Sequence, residues 1–129
     1  MSPTPCWRRI RKLEASGVIR GRVALLNTAR LDLGLTVFVH LRIARHDANW
    51  LDDFTRTIIA MPEVLEVDRL ARNWDYLLRV LVTDRLAYDQ FYKRLIEIEG
   101  LNYVSSSFSM QQIKFTTTLP LDHLCSPSD

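Results

Sequence analysis

Tyr76-Leu77-Leu78-Arg79-Val80-Leu81-Val82, with Trp74-Asp75 ahead of it and Thr83-Asp84 behind, is the stretch around which this chain organises. Only Arg79 interrupts the apolar run. A half-buried strand alternates apolar with polar residues, whereas a strand covered on both faces stays apolar throughout. Residues 76–82 are therefore predicted to form a central strand, entered through the loop Ala71-Arg72-Asn73-Trp74-Asp75. Downstream, Asp84 can cap a helix over 85–99 whose Tyr88, Phe91, Tyr92, Leu95 and Ile98 share one face, and Gly100 ends it.

Working outward, residues 64–70 read as a second strand. Residues 47–61 read as a helix with Trp50, Phe54, Ile58 and Met61 inward; Asp47 or Asn49 caps it and Pro62 stops it. In 35–43, Val37, Val39, Leu41 and Ile43 alternate with Phe38, His40 and Arg42, as in a strand. The last strand is expected over 103–115. There Ser106, Phe108 and Met110 hold one register and Ile113 and Phe115 the other, which suggests a bulge near Gln111-Gln112. The order βαββαβ gives an α+β, ferredoxin-like fold: a four-stranded antiparallel sheet with both helices on one face. Phe38, Leu77, Arg79, Ser105 and Ser107 are candidates for the other face, and apolar residues there call for a partner, a second copy packed sheet against sheet.

The N-terminus has a different character. Ser2 or Thr4 can cap a short helix, Pro3 and Pro5 suit its first turn, and Gly17 supplies its end. Cys6, Ile10 and Leu13 make an apolar face, with Arg8, Arg9, Arg11 and Lys12 largely off it. A strand is expected over 18–26 and a turn with a short helical connector over 27–34. Six cations against Glu14 give residues 1–22 a charge of +5, while the whole chain carries +2, so the remainder is −3. On charge patterning alone a solvated helix face is the commoner meaning; a basic arm on an acidic body is also the footprint of a nucleic-acid contact.

The bulk numbers bound the rest. With 129 residues, 47% hydrophobic and 25% charged, the chain has the composition of a soluble globular protein. No apolar run reaches membrane-spanning length and no signal-peptide plan is present, so a cytoplasmic protein without membrane partners is expected. Cys6 and Cys125 fit no metal spacing, and His40, His46 and His123 are scattered. Asp52-Asp53 and the Glu97/Glu99 pair read as surface charges. No nucleophile–base pattern or phosphate-binding glycine loop appears. An enzyme, a cofactor and a metal site are not expected.

Two sets of motifs carry a resemblance. Arg9-Ile10, Leu13-Glu14 and Gly17-Val18-Ile19, with Ser2 ahead of them, resemble the second half of the helix-turn-helix of the Lrp/AsnC (feast/famine) transcription regulators. Trp74-Asp75-Tyr76-Leu77-Leu78, Thr83-Asp84, Glu99-Gly100-Leu101, Ser105-Ser106-Ser107-Phe108 and Lys114-Phe115-Thr116-Thr117-Thr118-Leu119-Pro120 resemble that family's effector-sensing (RAM) domain.

The resemblance implies a regulator of amino-acid metabolism, divided into a partial helix-turn-helix and following strand at 1–26, a hinge at 27–34, a RAM domain at 35–118 and a tail at 119–129. It implies DNA contacts from Ser2, Thr4, Trp7, Arg8, Arg9, Arg11 and Lys12. It also implies a small amino-acid effector held between subunits by Ala71, Arg72, Asn73, Trp74 and Asp75 with Ser105, Ser106 and Ser107. A homodimer is expected, with an octamer as the higher assembly left open. The family carries two further helices before this one, so DNA binding is expected to be weakened or lost. The alternative role is a non-DNA-binding partner that oligomerises with a full-length regulator. The family's loop glycine falls at Arg72, which either blocks the pocket or offers its guanidinium to a carboxylate. The runs 4–7, 21–26 and 91–95 resemble the cysteine-responsive branch.

Overall fold

The computed structural model describes residues 3–124. Seven regular elements follow in order: α1 (Pro3–Ala15), β1 (Leu35–Ile43), α2 (Ala48–Ile59), β2 (Val64–Arg69), β3 (Tyr76–Val82), α3 (Arg85–Ile96) and β4 (Leu101–Phe108). Short 3-10 turns occupy Thr28–Leu31 and Asp122–Leu124.

The strands form one antiparallel sheet in the order β2-β3-β1-β4. This is the ferredoxin-like arrangement, with β1 and β3 in the centre. Val37, Val39, Leu41, Leu78 and Val80 have no exposed surface and pack with Phe54 and Ile58 of α2 and Tyr88, Phe91 and Leu95 of α3 in one core. Both helices therefore cover the same sheet face. Placing each such aliphatic or aromatic side chain out of water contributes about 1.5–3 kcal/mol. The opposite face follows from register: Phe38 sits across from Arg79 and Ser107, and His40 across from Leu77 and Ser105.

Local chemistry sets the helix ends. The Asp47 carboxylate accepts from the Trp50 N–H at 3.2 Å and the Asp84 carboxylate from the Ala87 N–H at 2.9 Å. Desolvation opposes the charged form of Asp47, but the Trp50 N–H and Arg45 hold its carboxyl below the ordinary value. Gly100 ends the α3 region at φ +94 and passes beneath the Trp50 indole.

Three expectations need correction. Residues 18–26 form no strand: Val18, Val23, Leu25 and Leu26 are exposed, and among the described residues no strand pairs with them, without which a strand is not stable. The last strand stops at Phe108 instead of 115, because its partner β1 begins at Leu35; Ser109 N–H still reaches Thr36 O at 2.9 Å, and beyond that β1 has nothing left to pair with. The expected bulge at 111–112 accordingly does not form, and the register instead shifts opposite Arg42 and Ile43, where Asn102 of β4 is the extra residue between Tyr103 and Leu101. In the tail, residues beyond 124, with Cys125, lie outside the described residues.

Candidate functional site

The loop between β2 and β3 is fastened to β1. Leu70 N–H donates to Asp75 O at 2.8 Å and closes the hairpin. Asp75 N–H donates to Leu41 O at 2.8 Å, and its carboxylate Oδ2 accepts from the Ile43 N–H at 2.8 Å. The β3–β1 ladder ends at Tyr76–Leu41, so the Asp75 side chain satisfies a strand amide that the end of this ladder would leave unpaired. Arg42 completes the attachment: Nε donates to Asn73 O at 2.6 Å, and its guanidinium lies 4.9 Å from the Trp74 ring centroid. The His40 ring is 5.4 Å from the same indole. Ala71, Arg72 and Asn73 are exposed, while Trp74 and Asp75 are half-buried.

Arg72 adopts φ +83, the left-handed region that favours glycine. The backbone at this position therefore keeps a glycine-type conformation with an arginine in it.

Strand alternation separates the three serines. Ser105 and Ser107 lie on the open face, and Ser105 is opposite His40, which itself touches Trp74. Ser106 lies on the helix face, hydrogen-bonded to the Tyr88 hydroxyl. Burial pushes the Tyr88 phenol up, opposed by the Ser106 hydrogen bond. The loop and Ser105 are thus brought to one region, Ser107 lies further along that face, and Ser106 is apart from both.

His40 and Arg42 were not singled out as site residues from sequence. The signal was available: both share the β1 alternation phase of Phe38. A cavity of about 440 Å³ lies elsewhere, between the connector, the open face and the segment after β4, with Thr28, Gly34, Phe38, Arg79, Met110 and Lys114 among its lining. Arg79 also faces Glu66 at 4.0 Å.

In the basic arm, α1 begins at Pro3, so Thr4 lies inside the helix and does not cap it; Ser2 lies outside the described residues. Gly17 at φ +84 ends the helix, with Gly17 N–H donating to Glu14 O and Ile19 N–H to Leu13 O. Arg8, Arg9 and Lys12 are exposed. Trp7 is flanked by Arg11 and by Arg22, whose guanidinium carbons lie 5.5 and 5.6 Å from its centroid. The apolar face is partly uncovered: Cys6 is exposed, Leu13 is 41% exposed and Ile10 is half-buried.

Among the described residues no cluster of His, Cys, Asp or Glu is placed to hold a metal, and no helix is long and apolar enough to cross a membrane.

Known proteins share this fold. Residues 36–119 match the Lrp/AsnC ligand binding domain, and residues 1–20 match a winged helix-turn-helix DNA-binding family. The chain is 46% identical over 123 residues to the DNA-binding transcriptional activator DecR of Escherichia coli K12, covering 95% of this chain and 81% of that protein. It is 48% identical over 121 residues to the glutamate uptake regulatory protein of Zymomonas mobilis, covering 94% and 74%. In structure, an AsnC family transcriptional regulator from Agrobacterium tumefaciens superposes with a TM-score of 0.88 at 51% identity, across 97% of this chain and 82% of that one. The transcriptional regulator NMB0573 of Neisseria meningitidis, solved as an L-Met complex, superposes with a TM-score of 0.89 at 38% identity, across 97% and 81%. These relatives are transcription regulators and not enzymes. The chain, with its four-stranded RAM-type sheet and its basic N-terminal helix, belongs to the Lrp/AsnC family of transcription regulators.

Proposed function

We propose that this chain is a sequence-specific, DNA-binding regulator of amino-acid metabolism that responds to a small amino acid bound between subunits at the β2–β3 loop. The observation that carries this reading is the attachment of that loop to β1 through Asp75 and Arg42. A loop held at both its acid and its aromatic residue is a preorganised surface. Asp75 uses Oδ2 for the Ile43 amide and offers Oδ1 to an α-ammonium group. Arg72 and Ser105 supply donors for the carboxylate, and Trp74 supplies an apolar wall. Ser106 is committed to Tyr88 and Ser107 stands further off, so both are peripheral in this reading. The L-Met complex of the Neisseria relative supports an amino-acid effector.

A second copy is the expected cover for the open sheet face. The exposed Met110, Ile113 and Phe115, which follow β4 without joining the sheet, support such a partner. A dimer would also place two α1 helices on one duplex, as paired half-sites need.

The partly uncovered face of α1 favours a second reading. A helix whose apolar row meets solvent is marginal alone. In this reading the chain does not engage an operator and acts by forming oligomers, through its RAM domain, with a full-length regulator.

Titration of an operator duplex, with and without cysteine, methionine or glutamate, tests the proposal. The first reading expects site preference and an affinity that changes with one of these amino acids. Formation of mixed oligomers with a full-length relative, without any DNA retardation by the chain itself, supports the second.

A further inference from the structure

Trp7, Arg11 and Glu14 recur at i, i+4 and i+7 on α1, a row adjacent to the apolar row of Cys6, Ile10 and Leu13. Arg22 belongs to the segment beyond the Gly17 turn and folds back onto this row. Its guanidinium lies over the Trp7 ring, and its Nη2 is 3.4 Å from Glu14 Oε1. Arg11 covers the same ring from its own helix. The four side chains line a cavity of about 190 Å³.

The charge balance in this cluster is incomplete. Two guanidinium groups converge on one indole, and a single carboxylate offsets only one of them. Arg22 and Glu14 retain 57% and 36% of their side-chain exposure, so solution anions can reach them. An anionic oxygen beside both arginines would supply the missing charge and accept charge-assisted hydrogen bonds. The indole draws both guanidinium groups to one ring, 5.5 and 5.6 Å from its centroid.

We infer that Arg22 is an additional backbone-phosphate contact of the DNA-binding surface, seated on Trp7 and paired with Arg11 across it, and that Trp7 is its positioning residue. This rests on the reading of α1 as the DNA-contacting arm and extends it to a residue outside the helix.

The test is a fluorescence-anisotropy titration of the intact chain with a labelled duplex of arbitrary sequence at several salt concentrations. For R22Q the slope of log affinity against log salt should shrink by about 0.9, the value of one phosphate contact. W7A should reproduce that change, W7F should retain the original slope, and the W7A/R22Q pair should do no more than either alone. R20Q removes the same charge two residues away and should leave the slope in place. The inference is overturned if R22Q keeps the original slope, or if R20Q reduces it equally. If the unaltered chain fails to bind at the lowest salt, the reading of the arm falls with it; binding that is indifferent to Arg22 overturns this inference alone.

Discussion

Asp75 spends one carboxylate oxygen on the backbone of Ile43, accepting its N–H at 2.8 Å where the β1 register shifts. The residue assigned to an effector's ammonium group is therefore also a structural part of the sheet. The two roles separate by substitution. D75N keeps an acceptor for the Ile43 amide and loses the negative charge; D75A loses both. D75A should destabilise the fold by about 1–3 kcal/mol, the cost of a buried donor without a partner. D75N should unfold close to the unaltered protein while binding an amino acid more weakly. Urea denaturation beside calorimetric titration checks both halves.

Arg72 at φ +83 makes a prediction about stability. A side chain in the left-handed region costs about 1–2 kcal/mol, part of which glycine returns as extra freedom in the unfolded chain. R72G should therefore stabilise the protein by about 0.5–1 kcal/mol, read as a higher urea midpoint with an unchanged denaturant slope. If Arg72 also contacts an effector carboxylate, the same variant should bind the amino acid less tightly while folding better.

Gly100 permits no side chain. A Cβ there would lie 2.6 Å from Cε2 and Cζ2 of Trp50, and its φ of +94 strains any residue with a side chain. Trp50 has little room to yield, since its Nε1–H donates to Glu99 O at 2.8 Å and its ring stacks on Phe54 with centroids 5.0 Å apart. G100A should cost about 2–4 kcal/mol, combining overpacking with backbone strain. Thermal unfolding of the variant reads it directly.

Tyr88 should make stability depend on alkaline pH. Burial raises its phenol above the ordinary value, with Ser106 opposing and Tyr92 and Asp89 adding to the rise. The folded state holds the proton more tightly than the unfolded one. Its contribution is therefore full below the unfolded value near pH 10 and is lost as pH rises through the folded value. Y88F should flatten the alkaline arm of the stability profile, and at neutral pH it should lose about 0.5–1.5 kcal/mol with the Ser106 hydrogen bond.

The sheet was legible because its central strands are written in apolar periodicity. Val37, Val39, Leu41 and Ile43 alternate and 76–82 is nearly all apolar, and both strands are central; the expectation that 76–82 is covered on both faces fails, because Leu77 and Arg79 lie half-buried on the same open face as Phe38 and His40. The helix caps Asp47 and Asp84 were legible for a similar reason: each is a short-range contact three residues long.

Segments whose state depends on a distant neighbour were not legible. Residues 18–26 and 110–115 carry strand-like composition, but among the described residues they pair with no strand. The candidate site was half legible. Its loop could be placed from motif, whereas the cover that Arg42 and His40 give to Trp74 depends on a β1 register that sequence periodicity constrains only in phase. Alternation already set Ser106 on the face opposite Ser105 and Ser107; what the run of serines could not reveal is that the Tyr88 hydroxyl would be its hydrogen-bond partner.

The most direct test of the account is sedimentation velocity on the unaltered chain and on D75N, each titrated with the common amino acids. The account predicts that at least one small amino acid shifts the distribution of assemblies of the unaltered chain, and that D75N needs a concentration at least about tenfold higher for the same shift, as loss of a charge-assisted contact worth about 1.4 kcal/mol or more would require. No shift with any amino acid, or an identical titration for D75N, would contradict it.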